Sequence, residues 1–506
     1  MKNRILAAFL ALMMLVSFLA SCGSGKEGGS VTTTAAASQE AGNNDANASE
    51  TPAETEAPEP TVEDLLGFKQ TDYEGYVFNM LIAKTDEYEH LAENLTGDLV
   101  NDAVYARNSQ VEEFFNIDLQ IKSMPCAWAD RQTFTAEVSK QVLAGDPTWD
   151  MVIGQSAVMC TGLNSQYYTN IAEMSDMDLS KPWWITNQYE RLEINGKLFG
   201  IYGDMNLSLY GDMHGIFFNS AIITENKLEN PYDLVKNNQW TLDKMLAMAE
   251  QAGGDLDGTA GVSKEGDRIG IIAIDNPMRA FGTSLGCEIV SRGEDGGLVF
   301  PAAPSEKHID FYAKMSNAFT EGNYNLKFKN DTYEESLQIL AADRALFVPS
   351  YLNYISNAIM RDMKGDFGIL PYPKYDENQE NYISQIGTGA TCTTFPQNVA
   401  KPELSAQVAN YMGYLGTESL VSTYFETYLQ ERLSRTPEMQ DMLTVIRETA
   451  TANLTTVYAA LFSPNLVTWF EVSGNIDHGA SLVSKYKANA GPAKKVIEKN
   501  IMPKFE

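Results

Sequence analysis

The segments DYEGYVFNMLIA at residues 72–83 and NDAVYARNSQVEEFFNI at residues 101–117 determine how the folded part of the chain begins. The continuous apolar character of 76–83 predicts a buried strand. Apolar residues recur at helical spacing across 99–115, which predicts a helix. The segment IDLQIKS at 117–123 alternates and predicts a second strand. Two strands joined by a helix are expected to be parallel, with a right-handed crossover.

The same alternation continues along the chain. Further strands are expected at 149–154, 215–223, 269–274, 345–349 and 367–370. Further helices are expected at 133–144, 241–252, 309–321 and 334–343, and the chain should be mainly helical from residue 401. The fold class is therefore α/β. Residues 63–506, roughly 440 in number, exceed one compact core and predict two lobes.

Five later segments extend this pattern in a specific order: DPTWDMVIG (146–154), DLSKPWW (178–184), INGKLFGIYGD (194–204), GIFFNSAIITENKLENPYDLVKNNQWTLDKM (215–245) and RALFVPSYLN (344–353). With the opening segments, they make the chain resemble family 1 extracellular solute-binding proteins, the substrate-binding lipoproteins of ABC importers. The resemblance covers residues 65–506. Within this family, the chain resembles the maltose-binding protein group.

The resemblance implies a two-lobed periplasmic-binding-protein-like fold of type II, with a ligand cleft between lobes joined by crossing hinge strands. Lobe 1 would comprise about 66–206 and 346–415, and lobe 2 about 207–345 and 420–506. The implied function is to capture a solute, most often an oligosaccharide, and deliver it to the membrane subunits of an ABC permease. The family acts as a monomer without a cofactor and catalyses no reaction.

The N-terminal sequence predicts secretion and lipidation. Lys2 and Arg4 precede an apolar run at 5–19, and the run ends at Leu19-Ala20-Ser21-Cys22, which resembles a bacterial lipobox. A transmembrane anchor would need about 20 apolar residues, more than this run contains. We therefore expect a signal peptide at 1–21, a lipidated Cys22 and a position on the extracytoplasmic face of the cell membrane. Residues 22–62 are rich in Gly, Ser, Thr, Ala, Glu and Pro and predict a disordered tether.

Composition excludes several classes of function. A net charge of −30 argues against nucleic acid as a partner. The four histidines are not at metal-ligand spacing, so neither a metal site nor a metal cofactor is expected.

The remaining cysteines are Cys126, Cys160, Cys287 and Cys392, with no CxxC pair. Their spacing selects none of the three possible disulfide connectivities, and buried free thiols are an equally good interpretation.

A sugar receptor needs aromatic platforms for the C–H faces of the rings, with amides, carboxylates and Arg as partners for hydroxyls. The candidates that follow lobe 1 strands are Lys84, Gln155 and Ser156. Those at the first lobe crossing are Tyr202, Asp204, Asn206 and Tyr210, for which a hinge turn is the alternative interpretation. Those near lobe 2 strands are Asn276, Arg279, Tyr351 and Asn353. The candidate platforms are Trp128 and Trp469, for which packing in the core is the alternative.

Two other functions are also compatible with a lipid-anchored protein that is rich in aromatic residues. A surface glycosidase would need two carboxyl groups about 5 Å or about 6.5–9.5 Å apart. No HExxH motif occurs in the sequence, and the family that it resembles is not catalytic. We therefore expect no catalytic residues. A receptor that reports its ligand to a membrane signalling partner would use the same cleft, so only the partner would distinguish it from a transporter.

Overall fold

The computed structural model describes residues 60–185, 192–259, 261–320, 324–328, 333–425, 437–458, 461–462 and 482–506. These residues belong to one compact unit, Pro60–Glu506. The expected signal peptide, Cys22, most of the tether and Trp469 lie outside the described residues. Within the described part of the chain, every helix is too short or too polar to cross a bilayer.

The strands, numbered in chain order, are β1 Tyr76–Ala83, β2 Ile117–Met124, β3 Met151–Gln155, β4 His214–Asn219, β5 Ile269–Ile274, β6 Ser291–Arg292, β7 Leu298–Val299, β8 Asn325–Phe328, β9 Ala345–Tyr351, β10 Phe367–Leu370, β11 Ser384–Gln385, β12 Thr391–Thr394 and β13 Ala450–Thr451. β6 and β7 form a short hairpin, and β11 pairs with β13. The other nine strands form two larger sheets.

The helices are α1 Val62–Leu66, α2 Leu99–Phe115, α3 Arg131–Ala144, α4 Ser156–Met159, α5 Ser208–Gly211, α6 Ser220–Glu225, α7 Pro231–Lys236, α8 Leu242–Ala252, α9 Asp275–Ser284, α10 Glu306–Thr320, α11 Tyr333–Ala341, α12 Ala358–Arg361, α13 Pro402–Leu415, α14 Val421–Thr423, α15 Pro437–Glu448, α16 Leu454–Val457 and α17 Leu482–Val496. Short 3₁₀ turns occur at Lys84–Glu89, Trp128–Asp130, Ile171–Glu173, Leu352–Ser356 and Met502–Phe505, and π turns at Gly416–Leu420 and Ile497–Ile501.

The first sheet has the order β12-β3-β1-β2. β1 is parallel to β2, with Tyr76 opposite Ile117, and is also parallel to β3. The predicted strand–helix–strand crossover is therefore confirmed. Its helix, α2, begins where the Asp98 carboxylate accepts the backbone N–H groups of Val100 and Asn101. It ends at Asn116, which adopts the left-handed conformation with φ of 47°. β12 is antiparallel to β3 and was not predicted from the sequence.

The second sheet has the order β10-β4-β9-β5-β8. β4 is antiparallel to both β9 and β10, whereas β5 is parallel to β8 and β9. β4 was predicted to continue to residue 223, but it ends at Asn219. The Asn219 side chain accepts the backbone N–H of Ile222 at 3.0 Å, and this cap starts α6.

The lobe crossings differ in part from the predicted ones. The chain leaves the first sheet after Ile201, which bridges to Thr393, and enters the second sheet at His214. The predicted boundary at residue 206 lies between these two positions. The return was expected near residue 346, but β9 and β10 both pair within the second sheet. The chain rejoins the first sheet only at β12, because the fully buried ALFVPS segment of β9 fills the centre of the second sheet.

The third crossing also lies later than the predicted 415–420. Helices α13 and α14 still pack against α2 of the first lobe, and α15 is the first helix after them to pack against β10 of the second. The four cysteines of the folded unit are buried thiols, with no disulfide between them. Burial raises the pKa of the Cys126 thiol to about 12 and that of Cys287 to about 11.

Candidate functional site

A cleft of about 760 Å³ lies between elements of the two sheets. The first lobe contributes the 3₁₀ turn at Trp128, the start of α3 and the region of α4. The second lobe contributes the start of β4, the first turns of α9 and the end of β9. The returning segment 385–388 and helix α16 complete the lining. Ligands of α/β proteins commonly bind in clefts of this size, where loops follow the ends of strands.

Trp128 and Arg131 form one wall of the cleft. The Trp128 side chain is 52% exposed, and the Arg131 guanidinium carbon lies 4.5 Å from the centroid of its ring. Arg131 Nη1 also donates to the Trp128 carbonyl oxygen at 2.7 Å. The three-residue spacing at the start of α3 brings the two side chains together. Stacking and this hydrogen bond hold the guanidinium in one orientation, and the exposed part of the indole stays available as a platform.

His214 and Tyr351 form the opposite wall. Their ring centroids are 4.4 Å apart, and the two residues face each other in the β4–β9 pair. His214 Nδ1 lies 3.0 Å from the carbonyl oxygen of Gln385, which can only accept, so Nδ1 carries the hydrogen. Burial lowers the pKa of His214 to about 4, so the imidazole is neutral at pH 7. Its buried Nε2 has no partner among the residues that the structure describes, and it can accept a hydrogen bond.

The floor of the cleft is the backbone of the returning segment. A side chain at Gly387 would come within 2.5 Å of Asp212 Oδ2 and 2.6 Å of Tyr351 Cε1, so only glycine fits there. Asp212 lies behind this backbone and accepts the N–H of Ala390 at 2.9 Å. Burial raises the pKa of the Asp212 carboxyl to about 7.

Four residues predicted from the sequence line the cleft together: Trp128, Asn276, Arg279 and Tyr351. Gln155 and Ser156 immediately precede the lining residue Ala157. The Ser156 hydroxyl donates to the carbonyl of Thr388 at 3.1 Å, and Gln155 Nε2 donates to Thr85 Oγ1 at 3.2 Å. Lys84 is exposed at the end of β1 and opens the 3₁₀ turn at 84–89.

The other predicted residues that the structure describes do not line the cleft. Tyr202, Asp204, Asn206 and Tyr210 are buried at the first crossing. Asp204 accepts hydrogen bonds from Thr417 Oγ1 at 2.6 Å and from the Tyr210 hydroxyl. Asn206 donates to the carbonyl of Thr391 at 3.0 Å. Asp204 and Asn206 therefore form these hydrogen bonds within the protein. Asn353 is exposed outside the lining.

Sequence reasoning missed several lining residues, among them Arg131, His214, Gln385 and Thr388. The helical spacing of Arg131 from Trp128 was a signal that pointed to the first of these. His214 and Gln385 come together only because β4 and the returning segment meet across 171 residues of sequence. Outside the cleft, the carboxylates of Asp255, Asp257 and Asp267 lie within 4.8 Å of one another. Asp267 accepts the backbone N–H groups of Leu256 and Ser263, so it organises its own loop.

No protein-family model and no curated protein sequence matches the chain. Solved structures do match its fold. A cyclic α-maltosyl-1,6-maltose-binding protein from Arthrobacter globiformis superposes with a TM-score of 0.53 at 12% identity, covering 84% of this chain and 99% of that one. The galacto-N-biose/lacto-N-biose I-binding protein of an ABC transporter from Bifidobacterium longum, in complex with lacto-N-biose, gives 0.52 at 12% identity, with coverages of 85% and 99%.

A cyclo/maltodextrin-binding protein complexed with maltotetraose also gives a TM-score of 0.52, at 14% identity and with coverages of 85% and 99%. The chain therefore has the α/β fold of ABC-importer solute-binding proteins over most of its length.

Proposed function

We propose that this chain is the solute-capturing subunit of an ABC importer, a family 1 solute-binding lipoprotein whose ligand is an oligosaccharide. The observation that carries the proposal is the composition of the interlobe cleft. Both lobes contribute to it, and each offers an aromatic side chain beside amide, hydroxyl and guanidinium groups. Sugar rings need this combination of apolar faces and hydrogen-bonding edges. The fold shared with sugar-binding neighbours supports the same function.

Binding would proceed without covalent chemistry. Trp128 packs against the C–H face of one ring, and Tyr351 packs against another from the opposite lobe. His214 Nε2 accepts a hydrogen bond from a ligand hydroxyl, which gives this buried acceptor the partner that it lacks among the described residues. Because these contacts come from both lobes, the ligand stabilises an arrangement in which the lobes are close. It thereby shifts the equilibrium between open and closed forms.

The site of action belongs to the same proposal. Lipidation of Cys22 holds the chain on the extracytoplasmic face, and the polar segment 22–62 acts as the spacer. The folded unit works as a monomer and delivers its ligand to the permease subunits. A sensory receptor would bind the ligand in the same way. Loss of uptake in a deletion strain supports the transport function, and a transcriptional response without uptake would contradict it.

Isothermal titration calorimetry of the purified full chain in detergent, against a panel of oligosaccharides, tests the proposal. We expect micromolar or tighter binding of at least one saccharide and an increase in thermal midpoint with ligand concentration. We also expect no turnover, because the described residues that line the cleft include no carboxylate to act as acid or nucleophile. Binding of peptides or metal ions alone, or hydrolysis of a glycan, would contradict the proposal.

A further inference from the structure

We infer that His214 determines the specificity of this cleft, because its imidazole is held as a hydrogen-bond acceptor that requires a free hydroxyl on the saccharide. The inference rests on the proposed function and narrows its ligand class. It excludes saccharides in which the hydroxyl at this point has been removed or converted to an ether. Gln385, Thr283 and Asn453 act through His214 as positioning residues.

A chain of hydrogen bonds connects His214 to helix α16. His214 Nδ1 donates to the Gln385 carbonyl oxygen at 3.0 Å, and Gln385 Oε1 accepts a hydrogen bond from the Thr283 hydroxyl. The Thr283 hydroxyl oxygen accepts from Asn453 Nδ2 at 2.7 Å, and Asn453 Oδ1 accepts the backbone N–H of Thr456 at 2.9 Å. All five side chains are more than nine-tenths buried, so little water competes for these bonds.

The direction of each bond in this chain follows from backbone groups at its two ends. The N–H of Thr456 can only donate, so the Asn453 amide presents Oδ1 to it and Nδ2 to Thr283. Thr283 therefore uses its hydroxyl hydrogen to donate to Gln385 Oε1. The Gln385 carbonyl can only accept, so His214 keeps its hydrogen on Nδ1 and presents Nε2 as an acceptor.

Gln385 is held in place from two sides. Its strand, β11, pairs in parallel with β13, where Gln385 lies opposite Thr451. The next residue donates its backbone N–H to the Thr451 carbonyl at 2.8 Å. On the other side, Thr283 of α9 holds the Gln385 side chain. The carbonyl that receives His214 Nδ1 cannot turn away without the loss of buried hydrogen bonds, which fixes the tautomer of the imidazole.

Two polar atoms of this chain have no partner among the described residues, and these are His214 Nε2 and Thr456 Oγ1. Both residues line the cleft. A buried polar atom without a partner costs free energy, and a ligand in the cleft can supply the missing partners. The Thr456 hydroxyl can donate or accept, so it tolerates either kind of ligand group. His214 Nε2 can only accept, so it discriminates between them.

A neutral acceptor distinguishes the groups that a saccharide carries. Burial lowers the pKa of His214 to about 4, so Nε2 has no proton to donate at pH 7. A free hydroxyl donates to it, whereas a glycosidic or methylated oxygen has only lone pairs to present. A deoxy position leaves Nε2 unpaired. Sites that hydrogen-bond a polar group of the ligand strongly reject analogues that lack this group.

Nitrogen-15 NMR of the full chain in detergent, labelled at its four histidines, tests the imidazole without a ligand. The signals of His214 are those that disappear in His214→Gln. We expect a protonated Nδ1 and an unprotonated Nε2 at pH 7. A hydrogen on Nε2, or on both nitrogens, would overturn the inference whichever saccharides bind.

Calorimetry with maltotetraose, cellotetraose, β-1,4-mannotetraose and β-1,4-xylotetraose tests the specificity of the same protein. For the member that binds most tightly, one monodeoxy derivative should bind the wild type about 10- to 100-fold more weakly than its parent. His214→Phe should bind this derivative and the parent equally, because the acceptor is gone. Equal losses in both proteins, or no sensitive position, overturn the inference and keep the proposed function. Failure of all four saccharides overturns both.

A matched set of variants tests the positioning residues. Thr283→Val replaces a hydroxyl with a methyl group and breaks the chain between Asn453 and Gln385. We expect it to lower the affinity about 5- to 20-fold and to increase the share of His214 with its hydrogen on Nε2. Thr283→Ser should restore both values. Thr444→Val makes the same change on the exposed face of α15 and should alter neither. Affinity lost in Thr283→Val with unchanged His214 signals would overturn the positioning role.

Discussion

Trp128 is exposed to solvent on the wall of the cleft, although large aromatic side chains are normally covered. Truncation to Ala removes the platform and the stack that orients Arg131, while it leaves no cavity in the core. We expect Trp128→Ala to weaken saccharide binding about 10- to 100-fold, with the free energy of unfolding changed by less than about 1 kcal/mol. Trp128→Phe should recover part of the affinity.

Calorimetry for affinity and urea unfolding for stability measure the two effects. Leu143→Ala is the matched control, since Leu143 is 76% exposed on α3, the helix that follows the turn of Trp128, and lies outside the cleft. A Trp128→Ala protein that binds like the wild type would place the ligand elsewhere.

Arg107 of α2 is fully buried and holds the first crossing against the first lobe. Its guanidinium donates to the carbonyls of Met205 at 3.1 Å and Glu89 at 2.9 Å, and to Asn108 Oδ1 at 3.0 Å. Arg107→Ala leaves two buried carbonyls without donors and opens a cavity. We expect it to lower the free energy of unfolding by about 3–5 kcal/mol in urea titrations. The exposed Lys140→Ala should change it by no more than about 0.5 kcal/mol.

Glu89, beside the hydrogen bonds of Arg107, makes the free energy of unfolding depend on pH. Burial, and then the charge of Asp86, raise the pKa of the Glu89 carboxyl to about 8 from an ordinary value of 4.5. Between these values the folded state keeps a proton that the unfolded state has lost. The contribution of Glu89 to stability is therefore complete below pH 4.5 and is lost as the pH rises towards 8.

Glu89→Gln cannot titrate, so stability should fall less between pH 6.5 and pH 8 than in the wild type. The variant should reduce the slope of the free energy of unfolding against pH by at most about 1.4 kcal/mol per pH unit. Burial lowers the pKa of His214, but His214 is the same in the wild type and in Glu89→Gln, so it cancels from the difference between their slopes. Urea unfolding at the two pH values measures the slope, and Glu113→Gln on the exposed face of α2 should leave it unchanged. Identical slopes in the wild type and Glu89→Gln would mean that Glu89 is ionised throughout.

At the scale of elements, α8 approaches β5 closely because Gly270 has no side chain. A Cβ at that position would lie 2.5 Å from the carbonyl oxygen of Ala249 in α8. Gly270→Ala must push the helix away from the sheet and should lower the free energy of unfolding by about 1–3 kcal/mol. Gly282 in α9 is the control, since its added Cβ would have one neighbour, at 3.7 Å. Gly282→Ala should be neutral or stabilising by up to about 1 kcal/mol in the same urea titrations.

The local sequence pattern predicted most helices and strands well, but it predicted less well which strands pair with each other. α2, β1, β5 and β10 have the predicted bounds, because each carries its own apolar pattern and α2 also carries its own caps. The pattern of β9 correctly predicted a strand, but no local signal places it between β4 and β5. β12 was missed, because TCTT lacks an apolar period. It is specified by antiparallel pairing with β3 and by the bond from Thr394 Oγ1 to the Val152 carbonyl at 2.8 Å.

Only those lining residues of the cleft that lie at or after the end of a strand could be predicted from the sequence. Asn276, Arg279 and Tyr351 were found in this way, since each comes directly after or at the end of a predicted strand. His214 begins its strand instead of following it, and its role depends on a contact with Gln385. The polar residues at the first crossing could either bind a ligand or form a hinge. The sequence is compatible with both roles, and only the burial of these residues in the structure distinguishes them.

At the scale of the whole molecule, capture and anchoring are proposed to reside in separate parts of the chain. The described residues that line the cleft belong to Pro60–Glu506, whereas the lipobox-like segment ends at Cys22. If the proposal is right, Cys22→Ala should abolish labelling by a palmitate analogue and leave the protein unprocessed or released into the medium. The saccharide affinity of the purified variant should match that of the wild type, because no ligand contact changes. Ser24→Ala leaves Cys22 in place and should remain lipidated. Labelling that persists in Cys22→Ala would rule out this cysteine as the anchor, and a loss of affinity would mean that anchor and binding unit are coupled.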